Sequence, residues 1–240
     1  MSADEVSEYI KNESSEKIKM IILRDDAEKE INLVRDKVET PVVTSTIYEK
    51  NNKKIGYLNI SIFSSVSGKQ FEKKLEELEK GNINSLVIDV RGNSGGYLTE
   101  VTDIISQLLP KGKILYQMEK DGNKEITKDK TSVSREYPIA VLVNSGSASA
   151  SEILAGAIKE SYGGFVVGTK TFGKGTVQQT KKLSDGSMIK YTVQKWLTPK
   201  GEFINELGVT PTNVVQLDNK LDHDNQLDEA LKLVTNNKKN

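Results

Sequence analysis

Two short segments of the chain contain residue types that together could support nucleophilic catalysis. Residues 147–152 read Ser-Ala-Ser-Ala-Ser-Glu, a small-residue turn that opens an apolar helix, and residues 172–175 read Phe-Gly-Lys-Gly. A serine hydroxyl can act as a nucleophile if an adjacent base takes its proton. The chain has no cysteine, and its only histidine, His223, lies in a polar C-terminal segment. A hydrolase built on this chain would therefore use a serine and a lysine.

Spacing alone does not select one serine of the first segment. An apolar strand, residues 138–143, leads into the turn, and the helix is expected to begin near Ala150. Unpaired N–H groups and the positive end of a helix favour alkoxide character on a hydroxyl there, and they can hold the oxyanion of a tetrahedral intermediate. Each hydroxyl could instead cap the helix. The three candidates are Ser147, Ser149 and Ser151.

Lys174 is the candidate general base. A lysine in that role must be neutral near pH 7, so burial must lower its pKa by several units from the ordinary value of about 10.4. Two flanking glycines and nearby apolar residues, among them Phe172 and Val177, would allow such packing. The alternative is an exposed hairpin lysine. Gln178, four residues further on, could orient Lys174 or be an ordinary strand glutamine.

A glycine-rich turn provides a third chemical element. Residues 89–96 read Asp-Val-Arg-Gly-Asn-Ser-Gly-Gly and follow an apolar strand. Backbone N–H groups in such a turn can bind an anion. The segment has neither the Gly-Lys-Ser/Thr ending of a P-loop nor a G-x-G-x-x-G pattern. Gly95 is therefore a candidate oxyanion donor, and the structural alternative is a tight turn that needs positive φ.

Composition excludes several functional classes. Lys+Arg and Asp+Glu both number 34 in 240 residues, so the net charge is zero and gives no argument for a nucleic-acid or membrane partner. The apolar runs are too short to span a bilayer, and the first residues do not have the pattern of an export signal. Without cysteine, thiol catalysis and disulfides are excluded. The cluster Asp222-His223-Asp224 does not indicate a metal site, and we expect no cofactor.

The elements that must position these residues follow an α/β pattern. Two buried strands, each followed by a small-residue turn and a helix, predict a layered α/β core. Predicted strands cover residues 17–24, 30–35, 45–49, 54–62, 85–90, 138–143 and 165–168, and residues 176–215 are predicted to be mainly strands with a turn at Asp185-Gly186. Predicted helices cover residues 3–12, 71–78, 97–109, 152–159 and 222–234, with turns at 25–28 and 50–53 and a linker at 36–40.

Taken together, these motifs resemble the carboxy-terminal processing peptidases, also called tail-specific proteases. The resemblance runs from about residue 3 to about residue 217 and rests on residues 89–96, 147–153, 167–178, 183–187, 197–201 and 207–211. Thr212 replaces an aspartate that is usual in the family, and Trp196 stands where a tyrosine is common. Neither change concerns the candidate catalytic residues.

The resemblance implies a serine endopeptidase that cleaves proteins or peptides near their C-termini through an acyl-enzyme. Ser149 would be the nucleophile, Lys174 the general base and Gln178 the residue that orients it. The backbone N–H groups of Gly95 and Ala150 would form the oxyanion hole. The implied partner is an unfolded C-terminal segment of a protein or peptide, with a possible homodimer and neither nucleic acid nor membrane contact. An extracytoplasmic location in a bacterium is implied as well.

The fold implied is α/β, a Clp-protease/crotonase-like β/α spiral core with a PDZ segment. Residues 1–37 would be the C-terminal part of a PDZ domain, a helix plus a β-hairpin without the strand that normally forms the peptide groove. Residues 38–218 would be the peptidase core with cap elements, and residues 219–240 a C-terminal helix and tail. This organisation predicts impaired recognition of substrate tails.

Three other functions fit parts of the pattern. A non-catalytic protein of the same fold could bind apolar ligands or peptides, although it would not need Ser149, Lys174 and Gln178 together. The chain could be an inactive fragment of a protease. Acyl-CoA chemistry of the crotonase type shares the oxyanion geometry, but it does not require Lys174 and needs an acid pair that the sequence does not offer.

Overall fold

The computed structural model describes residues 2–15, 17–34, 40–131 and 135–236. The chain forms two compact units, Met1–Thr40 and Pro41–Asn240. Residues 36–39 of the predicted linker lie outside the described residues. No helix in the described ranges is both long and apolar enough to cross a membrane.

The first unit consists of one helix and one β-hairpin, as the sequence predicts. Helix α1 (Ala3–Asn12) begins with a capping box in which Glu5 N donates to Ser2 Oγ and Ser2 N donates to Glu5 Oε2. Strands β1 (Lys17–Arg24) and β2 (Ala27–Val34) pair antiparallel. The predicted turn at 25–28 is too long, because both turn residues, Asp25 and Asp26, adopt φ of 56°. That geometry closes a hairpin in two residues.

The second unit contains ten strands and four helices among its described residues. In chain order they are β3 (Val43–Lys50), β4 (Lys53–Ile60), α2 (Ser67–Lys80), β5 (Ser85–Asp89), α3 (Leu98–Ser106), β6 (Ile114–Lys120), β7 (Asn123–Lys128), β8 (Ile139–Val143), α4 (Ala150–Ala157), β9 (Phe165–Gly168), β10 (Thr176–Lys182), β11 (Met188–Leu197), β12 (Asn213–Val214) and α5 (Asn225–Asn236). Helix α4 continues into a π-helical segment, Ile158–Tyr162.

A six-stranded sheet forms the centre of this unit, in the order β12-β9-β8-β5-β4-β3. Strands β4, β5, β8, β9 and β12 are parallel, and β3 joins the edge antiparallel through its hairpin with β4. Every residue of β5 and β8 is buried. Continuous burial is typical of a parallel sheet covered on both faces, and it confirms the predicted α/β fold class.

Helices cover the two faces of this sheet. On one face, Leu86 and Val141 belong to the core that includes α2, α3 and α4. On the other face, Val87 and Leu142 pack with Ala230 and other apolar residues of α5. Because side chains alternate along a strand, neighbouring residues of β5 and β8 contribute to opposite cores.

A second, four-stranded sheet has the order β10-β11-β6-β7. The hairpin β6–β7 was not predicted, because β7 is largely exposed and polar and has no apolar alternation. The prediction of mainly strands over 176–215 is wrong for residues 198–212, which are turns and irregular backbone apart from an isolated bridge between Phe203 and Leu197. The turn at Asp185-Gly186 is confirmed, with Ser187 N donating to Asp185 Oδ1.

Candidate active site

The three candidate serines have different environments. Ser147 Oγ donates to Val90 O at 2.7 Å, and Ser151 Oγ donates to Asn93 O at 2.8 Å. Both of these serines are fully buried. Ser149 is half-buried and lines a cavity of about 320 Å³. Two serines therefore connect the turns that follow β5 and β8, and Ser149 faces a space that a substrate could occupy.

The backbone at Ser149 is unusual for a residue with a side chain. Its φ is 54° and its ψ is −111°, and α4 begins at the next residue, Ala150. Such a conformation is sparsely populated by L-amino acids and costs about 1–3 kcal/mol. A strained strand-to-helix turn exposes the nucleophile of α/β-hydrolases. The sequence predicted the helix start, but not the strain.

The segment around Lys174 is fixed by close backbone packing. Gly173 has φ of 90°, and a Cβ there would lie 2.9–3.0 Å from the backbone of Glu206 and Gly208. Trp196, which is fully buried, donates from Nε1 to Lys174 O at 2.7 Å. Lys174 itself is half-buried and lines the same cavity as Ser149.

Glu152 connects the turn before α4 to the segment around Lys174. We call residues 144–149 the serine turn and residues 171–175 the lysine segment. Its Oε2 accepts from Ser149 N at 2.8 Å and from Lys174 N at 2.9 Å. Its Oε1 accepts from Gly173 N at 2.7 Å and from Thr171 Oγ1 at 2.6 Å. The residue is fully buried, so these four donors satisfy a carboxylate that would otherwise be costly to bury. Sequence reasoning gave Glu152 no role, although its place three residues after a helix-capping serine was a signal.

The two candidate catalytic side chains, Ser149 and Lys174, are not joined by a hydrogen bond. Within the described ranges, no hydrogen bond joins Ser149 Oγ to Lys174 Nζ. Gln178 is exposed and lines the same cavity, again without a hydrogen bond to Lys174 among the described residues. The fold thus brings the three predicted residues to one cavity.

Two of the three glycines of the 89–96 turn, Gly95 and Gly96, differ in position. Gly95 has φ of 103°, and a Cβ there would lie 2.8 Å from Ser149 Cβ and 3.1 Å from Ala150 N. Its N–H donates to Asn93 Oδ1 at 2.9 Å. Gly96 and Ala150 line the cavity. Gly95, the predicted oxyanion donor, therefore lies against the serine turn with its N–H already bonded to Asn93.

A charged network supports the start of the glycine-rich turn. Arg91 Nη2 lies 2.6 Å from Asp89 Oδ2 and 2.7 Å from Asp224 Oδ2. Burial alone would lower the pKa of the Arg91 guanidinium, but its hydrogen bonds to both carboxylates raise it above its ordinary value. Burial alone would raise the pKa of Asp224, but the hydrogen bond from Arg91 lowers it. Since Asp224 immediately precedes α5, this network connects that helix to the turn.

The cavity has an apolar wall and a cationic edge. Leu98, Ile153, Val177 and Trp196 provide apolar surface, and Lys174 and Lys190 provide amines. No carboxylate is found among the described residues that line it. The lining suits an extended peptide with apolar side chains.

This fold is that of a serine-type peptidase. Residues 54–215 match the model of peptidase family S41, and the chain belongs to that family. The predicted resemblance to carboxy-terminal processing peptidases is thereby confirmed. The PDZ assignment of the first unit and its boundaries stay predictions.

Similar proteins are known by sequence. The chain is 41% identical over 232 residues to the carboxy-terminal processing protease CtpB of Bacillus subtilis (strain 168), covering 95% of this chain and 48% of that protein. It is 35% identical over 243 residues to a probable CtpA-like serine protease of Staphylococcus epidermidis (strain ATCC 12228 / FDA PCI 1200), covering 95% of this chain and 48% of that protein. The chain thus spans about half the length of these relatives.

Solved structures support the same assignment. The photosystem II D1 C-terminal processing protease superposes with a TM-score of 0.68 at 32% identity, covering 83% of this chain and 55% of that chain. A putative S41 protease from Bacteroides fragilis superposes with a TM-score of 0.70 at 18% identity, covering 91% of this chain and 66% of that chain. The second likeness is evidence for the fold alone.

Proposed function

We propose that this chain is a serine endopeptidase that cleaves proteins or peptides near their C-termini through a dyad of Ser149 and Lys174. The observation that carries the proposal is the shared cavity: Ser149 is the serine of the triplet that lines it, and Lys174 lines it as well. The buried carboxylate of Glu152 accepts hydrogen bonds from the backbone N–H groups of both residues.

The proposed reaction has two steps. Ser149 Oγ attacks the carbonyl carbon of the scissile bond while Lys174 Nζ takes its proton and passes it to the leaving amine. Lys174 then takes a proton from a water molecule that attacks the acyl carbon, and it returns this proton to Ser149 Oγ as the ester bond breaks and the acid product leaves. Gln178 orients the lysine, and the Ala150 and Gly95 N–H groups bind the oxyanion.

Two features of the site must change when a substrate binds. The Gly95 N–H donates to Asn93 Oδ1 and has to share or exchange that bond with the oxyanion. Ser149 and Lys174, whose side chains are not hydrogen-bonded to one another in the described part of the chain, have to form that hydrogen bond. Catalytic hydrogen bonds are often long before substrate binds and tighten in the complex, so the geometry is compatible with a resting enzyme.

The proposal also covers the substrate, the domain organisation of the chain and its cellular location. Two relatives are named for C-terminal processing, which supports a substrate with an accessible C-terminal tail. Residues 1–37 would be part of a PDZ domain, residues 38–218 the peptidase core and residues 219–240 a C-terminal helix and tail. An extracytoplasmic location and a homodimer follow from the family resemblance.

Labelling with a fluorophosphonate probe tests the dyad. We expect the chain to be labelled at Ser149, Ser149→Ala to be unlabelled and Lys174→Ala to be labelled at least about a hundredfold more slowly. Ser145→Ala, which removes an exposed hydroxyl in the same turn, is the matched control and should label normally. Equal labelling of the parent and Lys174→Ala would count against lysine as base, and a lack of any labelling would favour a binding protein or an inactive fragment.

A further inference from the structure

We propose that Lys190 is a specificity-determining residue that receives a carboxylate of the substrate beside the catalytic cavity. The inference rests on the proposed peptidase function and names a preference of that same site. The carboxylate can be an acidic side chain or the C-terminal carboxylate of a short tail, and the two sources are separated by experiment below.

The strand register places Lys190 on the catalytic side of the β10–β11 ribbon. Gln178 pairs with Thr192, and Thr180 pairs with Lys190. Residues directly opposite in an antiparallel pair share a face, and so do residues two apart on one strand. Lys190 and Gln178 therefore project from the same face, and both line the cavity that Ser149 lines.

The charge at this edge of the cavity is not neutralised. In the described part of the chain, Lys190 forms no ion pair, whereas Lys195 on the same strand contacts Glu119 at 3.3 Å. No carboxylate is found among the described lining residues. A cleft lined by one sign of charge attracts ligands of the opposite sign. The flexible, strongly hydrated amine of a lysine suits a single carboxylate at a range of positions.

The spacing along the ribbon limits which substrate residue can reach Lys190. The Thr180–Lys190 pair lies two residues beyond the Gln178–Thr192 pair, a distance of about 7 Å at the rise of a β-strand. An extended peptide advances by about the same rise per residue. The carboxylate is therefore expected within about three residues of the scissile bond.

Matched peptides test the proposal by cleavage. One arm compares Asp with Asn at each position within three residues of the scissile bond, and the other compares a free C-terminus with its amide. We expect the parent to favour the carboxylate peptide in one arm by about three- to tenfold in kcat/KM, as for one partly solvated ion pair. Lys190→Gln should abolish this preference, Lys190→Glu should reverse it, and added salt should weaken it.

Lys181→Gln is the matched control. Lys181 is exposed on the adjacent strand and pairs with Ile189, so it projects from the opposite face of the ribbon. Lys181→Gln removes the same charge as Lys190→Gln, but it should leave the carboxylate preference as in the parent. A preference that Lys190→Gln leaves unchanged, or one that Lys181→Gln abolishes equally, would overturn the proposal.

Binding separates this inference from the peptidase proposal. Dissociation constants of the same fluorescent peptides are measured by anisotropy on Ser149→Ala and on the double variant with Lys190→Gln. On Ser149→Ala, we expect the carboxylate peptide to bind about three- to tenfold more tightly than its neutral counterpart. On the double variant, we expect the two peptides to bind equally. If the parent does not cleave the peptides but the binding difference is present, the peptidase proposal is refuted and the role of Lys190 is not. Equal binding in both arms, or no binding of any peptide, would refute the role of Lys190.

Discussion

Ser149 combines two requirements that conflict in an ordinary turn residue. Its side chain lines the cavity, and its backbone must turn sharply so that α4 begins at the next residue, Ala150. The result is a residue with φ of 54° and ψ of −111°, held by a hydrogen bond from its N–H to Glu152. Strain of this kind is retained where the surrounding structure fixes it and is typical of functional sites.

Replacing Ser149 tests this strain directly. Both Ser149→Ala and Ser149→Gly remove the hydroxyl, but only glycine adopts positive φ without a steric penalty. We expect the glycine variant to exceed the alanine variant in free energy of unfolding by about 1 kcal/mol. Urea denaturation of the two variants measures the difference. A more stable alanine variant would mean that the turn is relaxed.

Glu152 is the residue whose loss should affect both Ser149 and Lys174 at once. In Glu152→Gln an amide N–H₂ replaces one acceptor oxygen, so buried N–H groups of the serine turn or the lysine segment lose their partner. We expect a free energy of unfolding lower by about 2–4 kcal/mol. Where the variant still folds, we also expect kcat for peptide hydrolysis to fall at least about tenfold, with KM nearly unchanged.

Two comparisons keep the Glu152 prediction falsifiable. Glu125→Gln, an exposed carboxylate on β7, removes the same charge and should leave stability and rate as in the parent. Glu152→Asp keeps the charge with a shorter stem and should recover part of kcat. A loss of stability with an unchanged kcat would show that Glu152 has a purely structural role.

At the residue scale, the sequence identified the types of the candidate site residues, but it did not reveal the environments of all of their side chains. The absence of a usable histidine or cysteine left serine and lysine as the candidate pair, and the motif resemblance selected Ser149. The burial of Ser147 and Ser151 depends on carbonyls of a different turn, which spacing within one segment cannot reveal. Lys190 had no local signal, because it reaches the cavity only through the pairing of β10 with β11.

At the scale of elements, prediction succeeded where a local pattern reflects burial. Strands β5, β8 and β9 are continuous apolar runs, and their predicted bounds agree with the structure to within one residue. Strand β7 and residues 198–212 have no such pattern, since their conformation is set by pairing with β6 and by packing against the lysine segment. The β6–β7 hairpin is local, and its Asp121-Gly122 turn was a signal that the prediction did not use. The packing of residues 198–212 is long-range and is not encoded in a window of ten residues.

Packing of the lysine segment predicts unequal effects of two glycine substitutions. Gly173 and Gly112 both have positive φ, of 90° and 84°. A Cβ at Gly173 meets backbone at 2.9–3.0 Å, whereas a Cβ at Gly112 has nothing within 4 Å. We expect Gly173→Ala to lower the free energy of unfolding by more than about 2 kcal/mol and to slow labelling of Ser149, and Gly112→Ala to cost about 1 kcal/mol.

Thermal denaturation and fluorophosphonate labelling of the two variants measure these effects. The control shares the φ penalty and differs only in the space around the new methyl group. Equal stability losses would show that the segment can move away from residues 205–208 without cost, and that the position of Lys174 is not fixed by that contact.

At the scale of the molecule, the C-terminal helix α5 contributes to the core of the second unit. Helix α5 covers the face of the central sheet opposite α2, α3 and α4, with Leu231 and Val234 packed in the second core. Just before this helix, Asp224 pairs with Arg91 at the glycine-rich turn, and Gln226 Oε1 accepts from Arg91 Nη1 at 3.0 Å. The C-terminal segment thus contributes both to the sheet and to the support of the site.

The contact between α5 and the glycine-rich turn should make stability depend on pH through Asp224. Burial alone would raise the pKa of this carboxyl, but the hydrogen bond from Arg91 lowers it below the value in the unfolded chain. A depressed folded-state pKa gives stability that is present above the unfolded pKa of about 4 and is lost as pH falls through the folded value. Because Asp224 is partly exposed, with 32% of its side chain accessible, we expect no more than about 1 kcal/mol.

Asp224→Asn should therefore lower the free energy of unfolding at pH 7, and this deficit should be smaller at about pH 3, below the unfolded pKa of about 4, because protonation of the parent carboxyl progressively removes the stabilisation as pH falls. Urea denaturation at both pH values measures the difference, and Asp121→Asn, in the exposed turn between β6 and β7, is the control for loss of a carboxylate. Because Arg91 keeps Asp89 and Gln226, the fold should persist and labelling of Ser149 should fall only severalfold. A stability difference that is the same at both pH values would show that the carboxylate charge of Asp224 does not stabilise the contact, and unchanged labelling would show that α5 supports the sheet without influencing the site.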